Sequence, residues 1–315
     1  MFRSAPQGYA VYLALLGTLL FSPILCFPQS VHENVNVNLV NVYVTATDSK
    51  GHFITDLKPS EMELTEDGVK QEITHFTNFA QDNPGRLGEK GVPLTVAFVI
   101  DTSASMGDTI SGQVKIDIVR SAALRLADEL RDEDRMMLVA FNEYPDEVTP
   151  LTADHKRFDQ DLLFQSVKDS NTALLDSIYF AMEKMKDVWG RKIIVVCSDG
   201  EDTASYLRFD EVMSNLVASD ITVLAFGTMA LNSDSMRGRY ILEKLATASG
   251  GYAFFPTSLK MLDEVMAKLR QGMRSQYSLG YRPAHDPEPG SWHKISVKSL
   301  RAGLKLRYRE GYFAK

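Results

Sequence analysis

The chain has 315 residues, 44% of them hydrophobic and 24% charged, which is the balance of a globular protein and not of a disordered one. That length accommodates two domains and a sizeable core. The net charge of −7 argues against nucleic acid as the main partner, although residues 276–315 alone carry eight Lys and Arg against three Asp and Glu, the mark of a strand-rich tail with a solvated basic face.

After Arg3 no charged residue occurs until Glu33, and residues 9–27, YAVYLALLGTLLFSPILCF, are nearly all apolar. Residues 1–30 are therefore expected to be a signal peptide or an N-terminal anchor. Either one makes the protein exported: periplasmic, at the cell surface, or secreted. Leu25 stands where a lipoprotein signal wants a small residue before Cys26. Without the leader, Cys197 is the one remaining thiol, so no internal disulfide is expected. Its very apolar strand marks it as a buried structural residue.

Residues 35–47 alternate apolar and polar and read as a half-buried strand. Residues 57–64 lead into another strand. Glu66-Asp67-Gly68 is a hairpin signal of the Asp-Gly kind, and residues 71–79 alternate again. Residues 35–80 thus form a small all-β unit. Residues 81–91, QDNPGRLGEKG, are polar, rich in Gly and Pro, and read as a linker.

From residue 92 the pattern changes to strands separated by helices. Strands are expected over 92–100, 135–141, 191–197, 221–226 and 252–255. Helices are expected over 113–130, 155–167, 173–186, 208–218, 238–248 and 259–272. The first helix gathers Ile116, Val119, Ala123, Leu126 and Leu130 on one face. Such an order implies a mostly parallel, doubly wound α/β sheet covered on both faces, here over residues 92–273. After Arg274 the period returns to two, with strands expected over 276–281, 294–297 and 304–308. Residues 276–315 are expected to pair with residues 35–80 in one sandwich, into which the α/β unit is inserted. Trp292 is expected in the core of that sandwich.

Val92 to Gly107, VPLTVAFVIDTSASMG, is the most informative stretch. A β-branched run that stops at a carboxylate and small hydroxyls reads as a buried parallel strand with ligands at its C-terminal end, where open α/β sheets bind them. Asp101, Ser103 and Ser105 can converge on one cation if the chain curls tightly. Hard oxygens with no His or Cys nearby favour Mg²⁺, Mn²⁺ or Ca²⁺. Asn171-Thr172-Ala173 precedes a helix, which also makes Thr172 a candidate N-cap. Ser198-Asp199-Gly200 closes a second buried strand as Asp101 closes the first. Asp108, Glu201 and Asp202 read as solvated loop acids. The six histidines fall in scattered contexts without ligand spacing, so no zinc site is indicated.

DTSASMG, Thr172 and VVCSDGED together resemble the metal-ion-dependent adhesion site of von Willebrand factor A domains, over roughly residues 93–272. The flanks resemble a bacterial exported group of such proteins, including the closing Arg309-Glu310-Gly311-Tyr312. The resemblance implies a Rossmann-like fold. It also implies hydroxyl ligands from Ser103, Ser105 and Thr172, with Asp101 and Asp199 binding the metal directly or through water. Ser170-Asn171 stands where members often have two glycines. The function implied is an exported, metal-dependent binding or adhesion module. Its protein partner presents an Asp or Glu, and the membrane is involved only if the leader stays attached.

Two alternatives stand beside it: a scaffold with a vestigial metal site, and a Mg²⁺-dependent hydrolase. An aspartyl-phosphate enzyme wants a second carboxylate two residues after Asp101, where Ser103 stands. Ser105 lacks the leading Gly of a nucleophile elbow, and no phosphate-cradling loop is present. The expectation is therefore no enzymatic activity.

Overall fold

The structure, a computed structural model, describes residues 39–81, 92–110, 112–228, 236–256, 259–285 and 287–314. The expected leader, the start of the first strand and nearly all of the expected linker lie outside them.

The first part of the chain gives β1 (Val40–Thr47), β2 (Met62–Glu66), β3 (Val69–Gln71) and β4 (His75–Asn78). Asp67 and Gly68 form the β2–β3 turn with φ of 49° and 84°. Two positive φ angles in a two-residue turn are what an Asp-Gly pair tolerates.

The central part begins with β5 (Leu94–Asp101), the short hairpin β6 (Thr109–Ile110) and β7 (Gln113–Val114), and α1 (Lys115–Ala127). It continues with β8 (Arg135–Phe141), β9 (Pro145–Thr152), α2 (His155–Leu163), α3 (Leu174–Met185) and β10 (Arg191–Ser198). It ends with α4 (Phe209–Ala218), β11 (Ile221–Gly227), α5 (Met236–Ala248), β12 (Tyr252–Phe254) and α6 (Leu259–Arg274). The last part holds β13 (Gln276–Tyr281), β14 (Trp292–Ser299), β15 (Lys305–Arg307) and β16 (Gly311–Phe313).

The central sheet has the order β12-β11-β10-β5-β8-β9, parallel throughout except for the antiparallel edge strand β9. Every residue of β5 and β10 is buried, which is why both read as unbroken apolar runs. Val96, Phe98 and Ile100 of β5 face a core shared with α1, α2 and α6, while Ala97 and Val99 face a second core shared with α3, α4 and α5. The sheet is thus doubly wound. From β5 the chain moves outward to β8 and β9, then returns to the other side of β5 as β10. That reversal makes the β5–β10 boundary the switch point at which open α/β sheets leave a crevice.

The two chain ends build two antiparallel sheets, β15-β1-β13-β4 and β16-β14-β2-β3. They share one core, formed by Val42, Val44, Leu64, Tyr277, Leu279, Tyr281, Ile295 and Val297 among others. The expected fold class, an α/β unit inserted in a β-sandwich from both ends, is therefore the one observed. The joint between the parts is close-packed. A Cβ at Gly250 would lie 2.8 Å from Tyr308 Cα, and buried Arg191 binds Gln276 Oε1 at 2.7 Å and lies over the Phe79 ring. No helix among the described residues is long and apolar enough to cross a membrane.

Several elements differ from expectation. The edge strand β9 and the short β16 were not foreseen. The first and second expected helices are shorter, Lys115–Ala127 and His155–Leu163. Trp292 is 42% exposed, its ring edge-on to Phe313. The buried residues of β14 are Ile295 and Val297, so the two-residue period turns Trp292 to the outer face.

Candidate functional site

β5 and β10 pair in parallel register up to Ile100 and Cys197. Asp101 and Ser198 therefore leave the sheet side by side, and Ser198 Oγ donates to Asp101 Oδ2 at 2.7 Å. The chain after Asp101 folds back on that carboxylate. Ser103 N–H and Oγ both donate to Asp101 Oδ1, at 2.9 and 2.6 Å. A turn of 3₁₀ helix over Ala104–Gly107 follows. It brings Ser105 Oγ to 3.5 Å from Ser103 Oγ, and fully buried Met106 anchors it.

The loop bearing Thr172 is tied to the same edge through its backbone. Lys168 N–H donates to Thr102 O at 2.8 Å, Ala104 N–H to Ser170 O at 3.4 Å, and Ala173 N–H to Asn142 O at 2.6 Å. Thr172 also links to the loop after Asp199. Its N–H donates to Thr203 Oγ1 at 3.0 Å, and its carbonyl accepts from Thr203 and Ala204 at 2.8 and 3.0 Å. Thr172 does not cap α3. Asp202 does, accepting from Leu174 N–H at 2.9 Å with Ser205 beside it. Asp202 is therefore a structural acid and not the solvated one expected.

Asp199 is set by two close approaches. Gly200, with φ of 82°, packs on Gly238 at the start of α5 so tightly that a Cβ there would lie 2.3 Å from Gly238 O. Lys115, the first residue of α1, sends its buried ammonium to 3.4 Å from Asp199 Oδ2 and 3.6 Å from Asp108 Oδ2.

Of the five residues expected as ligands, Asp101, Ser103 and Ser105 thus lie in direct contact or near it. Asp199 lies on the same edge, close enough that its charge raises the pKa of Asp101. Burial is the larger cause of that rise, and the hydrogen bonds from Ser103 and Ser198 oppose it. The net effect lifts the Asp101 carboxyl to about 6. Thr172 joins them through the backbone of its loop. Lys115, Ser198 and Gly238 were not foreseen.

The donor set fits a hard divalent cation. It offers two carboxylates and neutral hydroxyls, without nitrogen or sulfur. A carboxylate with no exposed surface, raised by burial, is moreover one that a cation would hold ionised. The departure from a pure oxygen set is Lys115, whose ammonium already faces Asp199.

The fold and this edge define an open α/β domain with its polar residues gathered at the topological switch point. Residues 96–201, which lie within the α/β unit, match the sequence model of the von Willebrand factor type A domain. No curated protein matches the chain. Among solved structures it is similar to a von Willebrand factor type A protein from Catenulispora acidiphila, at 13% identity and a TM-score of 0.48, over 71% of this chain and 67% of that one. It is similar to BatB from Bacteroides thetaiotaomicron, at 18% identity and 0.47, over 58% and 100%. It is also similar to the corresponding domain of the type V pili tip protein Mfa5 from Porphyromonas gingivalis, at 13% and 0.47, over 59% and 97%. The domain assignment rests on the match over residues 96–201.

Proposed function

We propose that this protein is an exported binding module that recognises an acidic group on a protein partner through a divalent cation held by Asp101, Ser103, Ser105, Thr172 and Asp199. The observation that carries the reading is the convergence of Asp101 Oδ1, Ser103 Oγ and Ser105 Oγ at the carboxyl edge of β5, beside Asp199. Mg²⁺, Mn²⁺ or Ca²⁺ bound there supplies a Lewis-acidic point at which a partner carboxylate replaces water. The chain's own part is to orient the ligands. Ser198 and the Ser103 N–H fix the Asp101 carboxylate, the Gly200–Gly238 contact fixes the Asp199 loop, and neutral hydroxyls leave much of the cation's charge uncompensated. Such a site works by binding and not by catalysis. The apolar leader over residues 1–30 is the basis for placing the protein outside the cytoplasm.

A second reading has one observation in its favour. Lys115 already supplies a positive charge to Asp199, as expected of a scaffold whose metal site is vestigial. Capture of a partner from cell-envelope extract, with and without EDTA, separates the two. The adhesion reading expects binding that disappears in EDTA and in the Ser103→Ala variant. Partner binding untouched by both supports the scaffold.

A further inference from the structure

The geometry points to a second, chemically different metal site in the β-sandwich, formed by Glu66, Asp67 and His293 and suited to Zn²⁺ or a similar borderline transition ion. Asp67 Oδ2 lies 2.8 Å and Glu66 Oε1 3.6 Å from His293 Nδ1, and one ligand atom from each residue lies within 4.8 Å of the other two. Ligands about 2.0–2.1 Å from a tetrahedral Zn²⁺ stand about 3.3–3.5 Å apart. The observed separations span that value, so small side-chain rotations suffice.

What distinguishes these residues from a surface ion pair is how each is held by its other polar atom. Glu66 is buried, and its Oε2 accepts from the hydroxyls of Tyr281 and Tyr312. Asp67 Oδ1 accepts from Lys294 N–H at 2.8 Å. His293 Nε2 meets Ser291 Oγ at 2.6 Å. The remaining atoms (Oε1, Oδ2 and Nδ1) face each other, with Oδ2 and Nδ1 in hydrogen-bond contact at 2.8 Å. Outer hydrogen bonds that fix the free atoms of ligands are the usual support of a metal centre.

Ser291 Oγ is itself held by the carbonyl of Glu288, so the residue that fixes the outer nitrogen of His293 is anchored in turn. Nδ1 faces two carboxylate oxygens, Asp67 Oδ2 at 2.8 Å and Glu66 Oε1 at 3.6 Å. A cleft of about 330 Å³ borders Glu66, Asp67 and His293, walled also by His285 and Pro287. It leaves room for the remaining coordination positions. One nitrogen and two carboxylate oxygens suit Zn²⁺ better than the all-oxygen preference of Mg²⁺ or Ca²⁺.

The test is titration of Zn²⁺ alone into the EDTA-stripped, dialysed full chain, followed by calorimetry and by long-range ¹H–¹⁵N histidine spectra. Zn²⁺ is expected to shift the His293 Nδ1 resonance on saturation in wild type and in Ser103→Ala alike, the variant isolating this site from the one at Asp101. Asp67→Asn and His293→Ala are each expected to weaken that binding at least tenfold. Asp67 is exposed and Asn keeps the acceptor for Lys294, so that variant alone decides the matter should His293→Ala fail to fold. Zinc binding of equal strength in wild type and Asp67→Asn, as adventitious binding to the exposed His52, His75 or His285 would give, overturns the proposal. So does the absence of binding by wild type.

Discussion

Lys115 and Asp199, 84 residues apart in sequence, bring an ammonium and a carboxylate within 3.4 Å of each other with side chains only 6% and 8% exposed. The domain therefore carries its own cation beside the oxygens proposed to hold a divalent one. A divalent ion bound nearby meets repulsion from that ammonium and draws on the same carboxylate.

Lys115→Met separates the two roles. Removing one partner of a buried pair strands the other, at a cost of about 3–5 kcal/mol, and the 3.4 Å contact places this pair at the lower end. Metal-free Lys115→Met is expected to lose about 3 kcal/mol of stability in urea melts. It is also expected to bind Mg²⁺ at least tenfold more tightly than wild type, with saturating Mg²⁺ restoring most of the lost stability. A variant as stable as wild type in EDTA, with unchanged Mg²⁺ affinity, shows the contact to be incidental.

Asp101 gives the pH dependence. Burial lifts its carboxyl from 3.8 to about 6, so the folded state holds that proton more tightly than the unfolded chain does. The contribution to metal-free stability is thus greatest with Asp101 protonated. It declines as pH rises through this interval, by about 3 kcal/mol. Divalent binding slopes the other way, since the ion displaces the proton, and affinity weakens as pH falls below about 6. Metal titrations and EDTA melts between these limits, with Asp101→Asn as the reference lacking the titrating group, measure both slopes.

Gly238→Ala tests how the Asp199 loop is held. Alanine for glycine within a helix ordinarily stabilises by about 0.5–1 kcal/mol. Here the added Cβ would lie 2.3 Å from Asp199 O and 2.8 Å from Gly200 C, both of them backbone atoms. The sign is expected to reverse, with a loss of about 1–3 kcal/mol and weaker Mg²⁺ binding as the loop is pushed from α5. A stabilised variant with wild-type affinity argues that the contact has slack.

The features legible in the sequence are those carried by neighbours in the chain. β5 and β10 announce themselves as buried apolar runs, and the acids that end them follow directly. The Asp67-Gly68 turn is written in two residues. β9 was not legible, because PDEVTPLT has prolines at both Pro145 and Pro150 and only partial burial, which an antiparallel edge strand tolerates. Trp292 misled by its size, although its even position opposite Ile295 and Val297 already placed it outward. Lys115 looked like any lysine at a helix start. Its partner, like the Asp67 carboxylate that meets His293 from 226 residues away, becomes its neighbour only through folding.

The central claim is that separate loops bring oxygen ligands together around a cation. Calorimetric titration of Mg²⁺ and Mn²⁺ into EDTA-stripped wild type and Ser103→Ala tests it most directly, since that substitution removes one hydroxyl 2.6 Å from Asp101 and little else. The account predicts saturable binding of one ion by wild type and at least a tenfold loss in the variant, with melting otherwise preserved. Equal affinity in the two proteins, or no binding by either, would contradict it.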